Sequence, residues 1–178
     1  MTRTISSVVG QKPSAQSLLE RLALRVKASL AGSGVFVVPN QSMVSTLQIR
    51  ELHELDRRAY QGAAVQHGDI VVYRSPKHDG LKLASRVIAL ASETVELRAG
   101  TLLINGVVVP EPYVDYDAAE QEYSMTLPKL AVPHDHVFLM GDFRDLSEDS
   151  RQIGPVPHEL LVGRIVIKEA RYLSENVA

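Results

Sequence analysis

The stretch Leu102-Leu103-Ile104-Asn105-Gly106-Val107-Val108-Val109 sets an apolar triplet on either side of an Asn-Gly pair. That pair tolerates the positive φ angles of a two-residue turn, so the spacing predicts a tight β-hairpin. Upstream, Thr94-Val95-Glu96-Leu97 leads into Arg98-Ala99-Gly100, which predicts a second turn feeding the hairpin. Further out, Val35 to Val38, Ile70 to Tyr73, Arg86 to Leu90, Val137 to Met140 and Leu161 to Lys168 are short β-branched or apolar runs bounded by turn residues. Such spacing predicts a mainly β fold.

Three segments read differently. Leu18, Leu19, Leu22, Ala23, Val26 and Leu30 recur at helical spacing, predicting an amphipathic helix over 14–31 that stops at Gly32-Ser33-Gly34. Its apolar face would pack on the body or, with three cations against one anion on the polar face, lie on a membrane surface as a peripheral contact. Ile49 to Tyr60 reads as a short helix with Leu52 and Leu55 inward, and Glu111 to Pro133 as irregular and acidic. The expected organisation is a polar segment and helix over 1–33, a β domain over 34–170 and a tail over 171–178.

The 178 residues suffice for one domain with a hydrophobic core. With 19 basic against 21 acidic side chains, the overall field gives no reason to expect nucleic acid as a partner. Cysteine is absent, which removes disulfides, thiol nucleophiles and cysteine-ligated metals. His134-Asp135-His136 offers alternate side chains but no evident third ligand, so neither metal nor cofactor is expected. The first forty residues hold no apolar run of spanning length, and the polar start fits a secretory signal poorly. The expected location is therefore the cytoplasm or a membrane surface.

Chemistry concentrates in two places. Val35 to Leu47 puts Ser42 just past an apolar strand, and Gly141-Asp142-Phe143-Arg144-Asp145-Leu146-Ser147-Glu148-Asp149-Ser150-Arg151 follows the apolar run ending at Met140. The second stretch suits interlocking carboxylate and guanidinium partners. Together with Gly68-Asp69-Ile70-Val71-Val72, Arg86-Val87-Ile88, Glu93 to Arg98, Gly100 to Gly106 and Gly154-Pro155-Val156-Pro157, in this order, they resemble the type I signal peptidase family. The likeness covers roughly residues 35 to 168.

What the resemblance implies is a coiled antiparallel β body, barrel-like, and a serine endopeptidase that cuts preprotein segments after small Ala-x-Ala type residues. A lysine serves as its general base, and the family works at the outer face of the cytoplasmic membrane. By position, Ser42 matches the nucleophile and Met43 the methionine after it. Asn40 takes the place of an oxyanion-binding hydroxyl, and Ser147 that of the hydroxyl orienting the lysine. Arg86, Asp142, Arg144, Asp145, Asp149 and Arg151 match the polar support. The departure is Ser85, which stands where the family has its lysine. A serine hydroxyl is a poor nucleophile without a base, and general-base assistance is worth roughly 10² to 10⁴ in rate. Lys82 lies an odd three residues before Ser85, on the opposite strand face unless a bulge intervenes. Lys77 and His78 sit in a turn and would have to fold back toward Ser42. Two outcomes are expected: a peptidase with weakened or unconventional activity, or a silent relative that binds extended peptides.

Overall fold

A computed structural model of the chain describes residue 23 and the spans 33–114 and 125–167. Among these residues, eleven strands form, and every pairing between them is antiparallel. They are β1 (Gly34–Val37), β2 (Leu52–Asp56), β3 (Ile70–Arg74), β4 (Lys82–Ala89), β5 (Thr94–Arg98), β6 (Thr101–Ile104), β7 (Val107–Val108), β8 (Leu127–Ala131), β9 (His136–Met140), β10 (Val156–Pro157) and β11 (Leu161–Ile165). A larger sheet runs β1-β2-β11-β3-β4-β9-β10, and a smaller one β7-β6-β5-β8. The mainly β, antiparallel body expected from the sequence is present.

Both predicted turns of the small sheet form. Asn105 and Gly106 take φ of 53° and 81°, and Ala99 and Gly100 take 45° and 79°. Positive φ at both central positions gives a turn whose twist matches that of the strands it joins. In the large sheet, β3 is buried on both faces. Ile70 and Val72 pack with Phe36, Val38, Met43, Leu47 and Ala84, while Val71 and Tyr73 pack with Leu83, Val87, Val137 and Leu139. Such a strand reads as a continuous apolar run rather than an alternation, as Ile70 to Tyr73 does. Phe138 and Met140 of β9 point the other way, into a cluster with Val95, Leu97, Leu102 and Ile104 that joins the two sheets.

Two expectations need correction. Ile49 to Tyr60 contains β2, not a helix, because β1 and β11 pair with it from either side and bury Leu55. Leu52 and Leu55 suit a helical turn locally, yet nonlocal pairing overrides so weak a preference. Glu111 to Pro133 is not wholly irregular, since β8 lies in it and pairs with β5. Pro128 hid this strand: proline cannot donate to a ladder, but β8 is an edge strand and tolerates it. The helix expected over 14–31 falls outside the described residues except Ala23, which is helical and exposed.

Candidate active site

Beyond β1 the chain sinks Val38 into the core and then turns through residues 40–47, closed by Val44 N–H to Gln41 O (3.0 Å) and Thr46 N–H to Met43 O (2.8 Å). Met43 and Leu47 are fully buried and anchor that turn, so Ser42 is held from both sides. Its hydroxyl donates to Asn40 Oδ1 at 2.8 Å, and its backbone N–H donates to the same oxygen at 3.2 Å. Because an N–H can only donate, the Asn40 atom facing Ser42 must be the acceptor oxygen. Asn40 thus closes a local turn of the kind its short amide favours.

The Gly141–Arg151 stretch wraps around this turn. Phe143 N–H donates to Ser42 O at 3.0 Å. The Ser147 hydroxyl lies 3.1 Å from the same oxygen and 2.7 Å from Phe143 O, and shares its one proton between them. Asp142 N–H points at Met43 Sδ, 3.4 Å away. Asp149 is fully buried and accepts from Gly141 N–H (2.9 Å) and from Arg151 Nε and Nη2 (both 2.9 Å). It also caps the one-turn helix α1 (Ser150–Ile153) in a reciprocal capping box with Gln152. Asp145 is half-buried in a short 3₁₀ turn, Arg144–Leu146.

Arg86 crosses from β4 to the same stretch. Its Nε and Nη2 meet Asp142 Oδ1 and Oδ2 at 2.8 and 2.6 Å, its Nη1 reaches Gly68 O at 3.1 Å, and Thr46 shares Asp142. Burial opposes the guanidinium charge, but the Asp142 carboxylate outweighs it and holds the arginine above its ordinary value. The Tyr113 ring covers this guanidinium at 3.9 Å. Arg144, 2% exposed, donates from Nε to Gly141 O (3.0 Å) and from Nη1 and Nη2 to Glu111 (3.2 and 2.5 Å). Sequence reasoning missed Glu111, Tyr113 and Thr46. Glu111 and Tyr113 sit in the segment read as irregular, and nothing local distinguishes them from surface residues.

Ser85 is buried in the middle of β4. The β3–β4 register runs unbroken from Ile70↔Arg86 to Arg74↔Lys82, so no bulge turns Lys82 toward the Ser85 face. Lys82 is exposed. The Tyr73 hydroxyl is buried beside Ser85 but outside hydrogen-bond geometry; burial pushes its pKa up to about 12, the nearby Ser85 hydroxyl partly opposing the rise and Asp149 and Glu148 adding to it. Lys77 and His78 reach from the β3–β4 turn to the exposed Glu148, His78 Nε2 lying 2.5 Å from its carboxylate. Among the described residues, Asn40 is the hydrogen-bond partner of the Ser42 hydroxyl, and neither lysine nor histidine bonds to it. β9 pairs with β4 only from Arg86 onward, so among the described residues Lys82 to Ser85 has no strand partner on that side.

A family model described as signal peptidase, peptidase S26, matches residues 17–169. The chain belongs to this family. Signal peptidase I of Leptolyngbya laminosa is 30% identical over 154 residues, covering 83% of this chain and 72% of the relative. Signal peptidase IB of Staphylococcus aureus is 26% identical over 143 residues, covering 73% of this chain and 74% of the relative. A crystal structure of a signal peptidase I from Enterococcus faecalis V583 is 32% identical, with a TM-score of 0.53, over 58% of this chain and 98% of that one. This signal peptidase family member therefore carries a signal peptidase-like β domain. Among its described residues no helix is long and apolar enough to cross a membrane.

Proposed function

We propose that this signal peptidase-like domain captures an extended preprotein segment and cleaves it slowly at most, because among the described residues no base meets its serine. The observation that carries this is the Ser42 hydroxyl donating to Asn40 Oδ1 at 2.8 Å. An amide oxygen accepts a hydrogen bond but takes no proton at neutral pH, so the hydroxyl stays un-ionised and weakly nucleophilic. The edge of Lys82 to Ser85, without a strand partner among the described residues, supports the capture half. An extended peptide laid there would add a strand to the large sheet, main-chain hydrogen bonds supplying affinity and flanking pockets supplying selectivity.

The test is an Ala-x-Ala type peptide offered to the unaltered protein, to Ser42→Ala and to Ser85→Lys. The unaltered protein and Ser42→Ala should bind it equally. Hydrolysis by the unaltered protein should fall at least about 10² below that of Ser85→Lys, the lower bound of general-base assistance. Brisk Ser42-dependent cleavage by the unaltered chain overturns the loss of activity, and absence of binding overturns the capture.

One observation favours a second reading, a peptidase with a relocated base. Lys77 and His78 converge on Glu148, the residue after Ser147, whose hydroxyl touches Ser42 O. Were a peptide to draw that cluster inward, cleavage would depend on these side chains. Ser42-dependent turnover abolished by Lys77→Met or His78→Gln would select this reading.

A further inference from the structure

We infer that Glu111 and Tyr113 are positioning residues for the Ser42 turn, forming a strap by which the segment leaving the small sheet holds the two arginines beneath the site. Glu111 follows β7 within three residues, yet its carboxylate is 3% exposed and pairs with Arg144. Tyr113 donates its hydroxyl to the same carboxylate at 2.9 Å and lays its ring over Arg86. The two guanidiniums then grip consecutive residues: Arg144 holds Gly141 O, and Arg86 holds both oxygens of Asp142. Asp142 in turn holds Thr46 and offers its N–H to Met43, and the next residue, Phe143, donates to Ser42 O. Each link is a direct contact, so the small sheet reaches Ser42 in three steps.

A guanidinium fork aims correctly only while its plane is fixed. Arg86 has Asp142, Gly68 and Thr46 along its edges, while the Tyr113 ring covers its face, where cation–π attraction opposes tilting. Arg144 donates from both Nη atoms to the Glu111 carboxylate, which fixes the plane of its fork. Loosening the strap therefore frees the Gly141–Phe143 backbone while leaving the pairing of β4 with β9 in place. Tyr113 also stands between a cleft of about 760 Å³ beside Ser45 and Thr46 and an apolar pocket of about 500 Å³ lined by Val87, Leu102 and Ile104. Shifting it alters both.

Amide hydrogen exchange tests the strap on the full chain. In Glu111→Gln and Tyr113→Ala, exchange at Phe143 should rise about tenfold or more, while Leu139 in β9 keeps its protection. Tyr113→Phe, which keeps the ring, should stay near the unaltered protein. Tyr113→Leu, which keeps apolar bulk without the ring, should behave like Tyr113→Ala and serves if that variant folds poorly. Unchanged exchange at Phe143, or a rise shared in equal measure by Leu139, overturns the inference, because a merely structural role would loosen both. Peptide affinity is a second readout, and it rests on the Ser42 site being where peptide binds. Faster Phe143 exchange in an unaltered fold that binds no peptide sustains the strap and sinks the proposed function alone.

Discussion

Gly141 passes so close to Ser42 that a methyl group on it would lie 2.6 Å from the Ser42 carbonyl oxygen and 1.9 Å from the Ser147 hydroxyl. Glycine is needed here for close approach, not for an unusual φ. The void between the two chemistry-bearing segments is only as wide as a hydrogen atom allows, and this is what lets one carbonyl receive both Phe143 N–H and Ser147.

Gly141→Ala should therefore lower stability by about 2 kcal/mol or more, since a Cβ here meets backbone as well as a side chain and overpacking a tight site typically costs about 1–3 kcal/mol. A denaturant midpoint equal to that of the unaltered protein would show that the Ser42 and Gly141 segments are not in this contact.

Asp149→Ala should be worse. It removes the cap of α1, the acceptor of Gly141 N–H and the carboxylate paired with the buried Arg151 guanidinium. Breaking a buried pair from one side costs about 3–5 kcal/mol, because the remaining charge stays buried. Urea unfolding measures this, and a loss below about 1 kcal/mol would contradict the arrangement.

Glu148 is exposed, and the hydrogen bonds from His78 and Lys77 hold its carboxyl below its ordinary value. A depressed carboxyl contributes stability that is present above the unfolded-state pKa and lost as pH falls through the folded one. Solvent screening limits it to at most about 1 kcal/mol. Glu148→Gln should thus cost a little at pH 7 and nothing at strongly acidic pH, and added salt should shrink the difference. A penalty that persists in acid would assign it to packing instead.

Tyr73 carries a buried hydroxyl with no partner, so Tyr73→Phe should leave stability unchanged or raise it by about 1 kcal/mol. The folded-state pKa is raised to about 12 from 10, so the unfolded chain ionises first. Stability is whole below pH 10 and declines as pH climbs toward 12. Tyr73→Phe should flatten that alkaline decline in a pH series of urea midpoints, leaving the share due to Tyr60 and Tyr113, whose phenols burial also raises. An unchanged slope would mean that Tyr73 is wet.

The sequence by itself determined the β character, both turns of the small sheet, and the two segments that meet at the site. Those features rest on local chemistry: Asn105-Gly106 can take its turn anywhere, and Ile70 to Tyr73 is apolar whichever neighbours bury it. It also put a serine, Ser85, where the family resemblance implies a lysine. Only the tertiary structure decided which way Asn40 turns its amide, that Lys77 and His78 meet Glu148, and that Leu52 to Asp56 is a strand. Glu111 and Tyr113 belong with these, for they matter through partners 33 and 27 residues away in the chain. A residue's partner across a fold is set by how the sheets pack, and no local pattern records it.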